Sequence, residues 1–378
     1  MTSPLFLYGP LRLEEVRGIV IGRAVPGRAA VLPGSALHCA QGAALPHLQP
    51  QEGAEAPGVL CSGLSEDEQA RVDYYATALG LDVQERRVNA DGTSQTAQLL
   101  AARAPTSEAM AWDYEYWARD HADLECIVAA EIMAEYGRRT AADLARVMMT
   151  IRARAQARLY AMQPKALTRP APPDLARIEV AQSAPAHFGF FRFDTVTLSV
   201  PRFVGTMSDP MSREIFVGHD AALVLPYEPA TDRVLLIEQF RLGPWRRGDS
   251  RPWTLEPIAG LVEQGESPED CVRREATEEA GLSVGQVERI ATVYASPGYS
   301  TEYFHCFLAR CILPESDGRI GGAEDEHEDI RTHILPLDAA LAMIDSGEID
   351  VGPLAMMLLW LARHRSCIRE EAAGRVPA

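Results

Sequence analysis

Between Gly260 and Leu282 the chain reads GLVEQGESPEDCVRREATEEAGL. Glu266, Arg274, Glu275, Glu278, Glu279 and Gly281 stand at fixed distances from Gly260, and Ala276 and Leu282 fill two apolar slots. With each residue type used at about 5–7%, seven fixed matches arise by chance on the order of once in 10^8 start positions. The segment carries its own helix signals. Ser267 suits an N-cap, Pro268 the first helical position, and Glu269 and Asp270 the positive helix end. Gly281 stands where a helix stops. A helix over about 268–280 is expected. It places Glu275, Glu278 and Glu279 within one turn, where like charges destabilise a bare helix. A cation is therefore expected beside them, and hard oxygen ligands favour Mg²⁺ or Mn²⁺. The 260–265 loop lets backbone approach a phosphate or metal. Arg274 is placed to pair with Glu266, and Val272, Ala276 and Ala280 to form a buried stripe. A solvated acidic face accounts for a lone Glu-Glu pair, but it does not require Gly260, Glu266 and Arg274 in register.

The full spacing resembles the signature of the Nudix hydrolases, and the resemblance covers roughly residues 175–368. Downstream, Ser296, Pro297 and Gly298, with Pro297 sixteen residues past Gly281, and then Glu302, resemble the ADP-ribose pyrophosphatase branch. So does AEDEHEDIRTHILPLDAALAMIDSGEID, which is similar to that branch's catalytic loop and following helix. The resemblance implies a Nudix α/β/α sandwich. It implies metal ligands at Glu275, Glu279, Glu328 and the Ala259 carbonyl, and Glu326 as the base that activates water. Glu266, Arg274 and Glu278 complete the implied catalytic set. Arg213 in SREIF, Arg241 in EQFR, Phe190 in GFF, Glu256 in WTLEPIAG and Glu302 are the implied substrate contacts. Read singly, these are a surface arginine, a core phenylalanine or a strand-end acid. Core packing of Phe190 stays as open as stacking, and the 324–329 acidic run also reads as an ordinary exposed loop. The implied reaction is Mg²⁺-dependent hydrolysis of ADP-ribose to AMP and ribose 5-phosphate by a homodimer. Another nucleoside diphosphate sugar, or binding of a nucleotide sugar without cleavage, stays open.

The 378 residues suffice for two domains. A net charge of −17 argues against a general nucleic-acid surface. It leaves room for a small anionic substrate, because a metal and local arginines reverse the sign within a cleft. Seven scattered cysteines, with no C-x-x-C pair, suggest reduced thiols in a cytoplasm. The start, MTSPLFLYGPLRLEE, has no basic n-region and is not read as a signal peptide. No run of about 18 apolar residues predicts a membrane span.

Four prolines within MQPKALTRPAPPD favour an extended linker over 163–174. Residues 1–162 and 175–378 then read as separate domains of an α+β protein. Residues 112–136 and 140–160 read as two long helices ahead of it. After it come apolar strand runs over 190–200, 221–226, 233–239, 290–294, 303–313 and 329–335, with helices over 337–344 and 353–363. At the N-terminus, LFLYGPL and then GVLCSGLSEDEQARVDYYATA resemble the gamma-glutamylcyclotransferase-like fold, a mixed β-barrel with helices. Val72 and Asp73 match that family's motif, but Ala76 stands at the position of its general base. Alanine transfers no proton, so a binding or structural role is expected of this domain rather than catalysis.

Overall fold

The computed structural model describes residues 3–40, 45–102, 110–163, 174–323 and 328–374. The chain divides into two compact mixed α/β units, Met1–Ala166 and Leu167–Ala378. The proline-rich residues 164–173 lie outside the described residues.

The first unit is built on strands β1 (Leu5–Leu7), β2 (Arg28–Cys39), β3 (His47–Cys61), β4 (Leu81–Ala90), β5 (Thr93–Ala102) and a short β6 (Met110–Ala111). Pairing runs β3-β1-β5-β4-β2, and β2 pairs β3 again, so five strands close into a barrel, and the short β6 pairs the last two residues of β2 beyond it. Closure leaves these five strands without a free edge. Phe6, Leu32, Leu60, Val88 and Leu99 fill the barrel. The helices are α1 (Glu14–Ile21), α2 (Glu66–Ala78), α3 (Tyr114–Asp120), α4 (Ala122–Ala134), α5 (Ala141–Arg146) and α6 (Met148–Ala161). Helix α2 opens on a reciprocal capping box between Ser65 and Glu68. Ala76 is buried on it.

Two expected helices are each broken once. The 112–136 stretch divides at His121 (φ −128°), between α3, which buries Trp117, and α4. The 140–160 stretch divides at β-branched Val147 (φ −115°), outside the helical basin.

In the second unit, β7 (Glu179–Phe188), β8 (Arg192–Ser199) and β9 (Met211–Val217) form an antiparallel three-stranded sheet. A larger sheet follows the order β14-β15-β10-β11-β17-β16. Its strands are β10 (Asp220–Glu228), β11 (Arg233–Phe240), β12 (Trp253–Glu256), β13 (Ile258–Leu261), β14 (Val287–Tyr294), β15 (Tyr303–Arg310), β16 (Ile320–Gly321) and β17 (Ile330–Pro336). Strand β10 is buried throughout and pairs in parallel with β15. That two-sided burial explains its unbroken apolar run. The short helix α7 (Leu242–Arg247) lies between β11 and β12. Pro257 has no N–H to give to a ladder, and there the chain changes partners: β12 pairs β11, while β13 pairs β10.

Helices α9 (Leu337–Ser346) and α10 (Gly352–Ala372) cover one face of this sheet, burying Leu223, Leu225, Tyr227 and Leu236 against Leu354, Met357, Leu358 and Leu361. Helix α8 (Pro268–Ala280) lies against β13 and β10. Val272, Ala276 and Ala280 are its fully buried apolar stripe. It starts on the Ser267 hydroxyl, which accepts from the Asp270 N–H, and stops at Gly281 in the left-handed region (φ +63°). An alanine there is strained, and its methyl meets the Arg319 guanidinium. Gly281→Ala is expected to destabilise the second unit by about 1–2 kcal/mol, read as a lower urea midpoint of that unit with an unchanged m-value.

Candidate active site

The site is assembled by α8, the β13 backbone beneath it, and the ends of β11 and β12. Helix α8 turns Glu275 and Glu279 inward: Glu279 is fully buried and Glu275 nearly so, whereas Glu278 is exposed. The three carboxylates expected on one face therefore divide into two buried ones and one at the rim. The solvated-face reading does not survive the burial of Glu275 and Glu279.

Arg274 ties this helix to the loop before it. Its Nε and Nη2 donate to Glu266 Oε1 and Oε2 at 3.0 and 3.2 Å. Its Nη1 donates to Glu275 Oε1 at 2.6 Å and to Glu278 Oε2 at 3.1 Å, and its Nη2 reaches the Leu261 carbonyl at 3.3 Å. Burial works against the Arg274 charge, but Glu266 and Glu275 outweigh it and hold the guanidinium above its ordinary range. Beneath the loop, the Cys271 thiol lies 3.4 Å from the Leu261 carbonyl.

Glycine at 260 permits the close approach of strand and helix. A Cβ there would occupy the place of the Glu275 carboxylate, and a Cβ at Gly321 would collide with the Glu279 carbonyl. The second contact holds β16 to the end of α8, just ahead of the segment that leads to Glu328.

Burial first, then the neighbouring carboxylates Glu275 and Glu328, raises Glu279 to about 9. The Ala259 N–H, 3.3 Å from Glu279 Oε2, opposes that shift only partly. Glu275 rises to about 7, again first through burial, although Arg274 pulls it down. Glu279 Oε1 is buried with no hydrogen-bond partner among the described residues. Two crowded, desolvated carboxylates with an unpaired oxygen fit a hard divalent cation. Among the described residues, no three Asp, Glu, His or Cys side chains already form a closed metal cage.

Arg241 bears on the same carboxylates through its charge. Its Nε and Nη2 lie 2.8 and 2.7 Å from the two Glu256 oxygens, and the Thr254 hydroxyl donates to Glu256 at 2.6 Å. Burial disfavours the Arg241 charge, yet Glu256, Glu279 and Glu328 keep it cationic. Glu256 was expected here, but its hold by the Thr254 hydroxyl was not. The threonine two residues before Glu256 was its only signal. Glu302 is half-buried, and burial raises its carboxyl against the pull of Arg241. Glu328 accepts from the Ala323 N–H at 3.1 Å.

A family model of the NUDIX domain matches residues 218–354. The ADP-ribose pyrophosphatase of Escherichia coli (strain K12) is 37% identical over 196 residues, which are 52% of this chain and 93% of that protein. The chain belongs to the Nudix family. The Haemophilus influenzae ADP-ribose pyrophosphatase is 36% identical over 186 residues, 49% of this chain and 85% of its own. The GDP-mannose pyrophosphatase of Citrobacter koseri is 40% identical over 149 residues, 39% of this chain and 76% of its own. Nudix enzymes generally work with divalent cations.

Of the expected Nudix site residues, Glu266, Arg274, Glu275, Glu278, Glu279 and Ala259 come together around α8. Arg241, Glu256, Glu302 and Glu328 bear on the same cluster through the contacts and fields above. Arg213 lies on β9, in the three-stranded sheet, exposed and hydrogen-bonded to the Ser212 carbonyl. Phe190 is half-exposed, edge-on to Phe191 and near His219, rather than in the core. Glu326 lies outside the described residues.

Two outcomes test this geometry. Gly260→Ala is expected to lower turnover by about a hundredfold, since its methyl displaces Glu275, while the circular dichroism spectrum stays that of the wild type. The second concerns pH. Both carboxyls have raised pKa values, so between about 4.5 and 9 the metal-free folded state binds more protons than the unfolded one, and stability falls as pH rises. A divalent cation displaces those protons. The rise in melting temperature on adding Mg²⁺ is expected to grow from pH 6 to pH 9, and a rise that shrinks over that range would contradict the assignment.

Proposed function

We propose that the chain is a Nudix pyrophosphatase that hydrolyses the diphosphate of ADP-ribose, giving AMP and ribose 5-phosphate. The carrying observation is the pair of buried carboxylates, Glu275 and Glu279, with the fixed cation of Arg241 bearing on Glu279. Similarity to ADP-ribose pyrophosphatases along nearly their whole length supports this substrate. The GDP-mannose relatives keep another nucleoside diphosphate sugar as the second reading.

Glu275, Glu279, Glu328 and the Ala259 carbonyl are the groups that would hold Mg²⁺, or Mn²⁺ in its place. Once bound, the cation neutralises diphosphate charge and activates water. The remaining work belongs to the protein. Arg274 keeps the loop and Glu275 in place. Arg241, held by two hydrogen bonds to Glu256, presents positive charge to the diphosphate at no reorganisation cost. Glu302 is a substrate contact in this reading. Glu326 takes the proton from water, with Glu278 at the rim of the same cluster. Arg213 and Phe190 contact the adenosine end.

Arg213 and Phe190 lie in or beside the three-stranded sheet, where Phe191 and Phe193 are also exposed and pack around Phe216. Exposed apolar clusters of this kind mark interfaces, so we infer a homodimer through this sheet. All seven cysteines are unpaired, which supports a reducing, cytoplasmic setting. No helix among the described residues is long and apolar enough to cross a membrane.

The test is product analysis after incubation with ADP-ribose, GDP-mannose and UDP-glucose in Mg²⁺. AMP release from ADP-ribose is expected to dominate. Glu275→Gln and Glu279→Gln are each expected to lower it by about a hundredfold or more with the fold retained, the scale set by loss of one transition-state contact. Near-normal AMP release from both variants would overturn the proposal.

A further inference from the structure

The larger sheet of the second unit carries an open cavity of about 380 Å³ on the face turned away from α8. Side chains alternate across a strand, and the register shows which face each one takes. Ile237 pairs with Glu256 and Thr332, on the side of the Nudix site. Glu238 pairs with Leu255 and Arg331, on the side that Leu236 and Leu255 share with α9 and α10. Trp253 takes the same face as Leu255. It is half-exposed, and its one ring contact among the described residues is Phe240, at 5.4 Å. Glu238 is committed, with its Oε2 2.9 Å from His333 Nε2. Arg331 stands 3.8 Å from that oxygen, beyond hydrogen-bond reach. The Arg251 guanidinium makes one long bond among the described residues, 3.4 Å to the Gly347 carbonyl. Asp329 is exposed just before β17 and has no ion pair among the described residues.

We propose that this cavity binds a sugar monophosphate unit, as a free sugar phosphate or within a mononucleotide. A monophosphate carries close to two negative charges at neutral pH. Arg251 and Arg331 both line the cavity, and the planar fork of an arginine matches phosphate oxygens. A single carboxylate guest would leave one of the two guanidiniums unused. Asp329 supplies an acceptor for sugar hydroxyls, and the Ser250 hydroxyl stands next in sequence to Arg251. The open ring of Trp253 offers a flat apolar surface to a sugar or a base. The volume lies within the range of small-molecule sites. None of the residues placed at the Nudix site is among the described residues that line this cavity. Yet Trp253 shares β12 with Glu256, and Asp329 follows Glu328 in the chain. The guest therefore lies against the reverse side of strand ends that carry the Nudix site. The proposal concerns binding there and does not rest on the catalytic reading.

The test is a titration of the full chain, metal-free and isotope-labelled at the tryptophan indoles, followed by nuclear magnetic resonance. The Trp253 signal is identified by its loss in Trp253→Phe. Ribose 5-phosphate and AMP are the probes, with ribose and phenylalanine as controls. Ribose 5-phosphate is expected to shift the Trp253 signal to saturation, and the controls to leave it in place. An equal or larger shift with AMP extends the site to mononucleotides, and none with AMP names the free sugar phosphate as the guest. Arg251→Ala and Arg331→Ala are each expected to raise the half-saturating concentration about tenfold. Both variants are expected to keep the wild-type turnover of ADP-ribose. The proposal fails if neither probe moves the signal, or if AMP alone does, since the base would then be the recognised part. It also fails if phenylalanine moves the signal as far, or if both arginine variants titrate like the wild type. The titration needs neither metal nor turnover, so its failure is distinct from a failure of the catalytic reading.

Discussion

The Nudix site depends on one guanidinium. Arg274 lies within hydrogen-bond reach of Glu266, Glu275, Glu278 and the Leu261 carbonyl at once. Without it, four carboxylates on a helix and its leading loop would repel one another. The planar fork of an arginine serves several acceptors in fixed directions, which a lysine ammonium cannot do. The consequence is geometric: the loop before α8 and the Glu275 carboxylate are tied to the same guanidinium.

That arrangement needs the backbone to come unusually close, and the closeness is built from missing side chains. Gly260 puts β13 against the Glu275 carboxylate, and Gly321 puts β16 against the last turn of α8. The helix is thus gripped from two sides, with Val272 and Ala276 filling the layer beneath. The same logic applies to Arg241, whose charge is felt by Glu279 and Glu328. Its two bonds to Glu256 fix it to the end of the sheet, and Glu256 is in turn held by Thr254. Arg241 and the carboxylates are carried by strand ends and a helix, which favours preorganisation over adjustment.

The helix was legible to the residue, because caps, periodicity and spacing all agree over 268–280. The strand runs were legible to within a few residues, since apolar β10 and β11 admit no other reading. What spacing did not show falls into two kinds. The partner exchange at Pro257 is a tertiary event: only the register of β12 on β11 and β13 on β10 reveals that one short stretch serves two neighbours. The breaks at His121 and Val147 fall between segments of similar composition, which gives no sign of them. Likewise, the exposure of Phe190 follows from its place at a sheet end, which its GFF context does not disclose.

Burial separates function from ornament at this site. A structural helix gains nothing from a carboxylate at position 279. Burying that group raises its pKa to about 9 and leaves Oε1 unpaired, whereas an apolar side chain of similar size would suit the cavity better. Strongly perturbed acids that a fold does not need cluster where chemistry is done. Glu278, exposed and one residue away, shows the contrast: it carries the same side chain on the same turn, solvated and linked to Arg274 at the rim. The cost of a charged Glu279 is removed by a proton or by a cation, and an apolar side chain would carry no such cost.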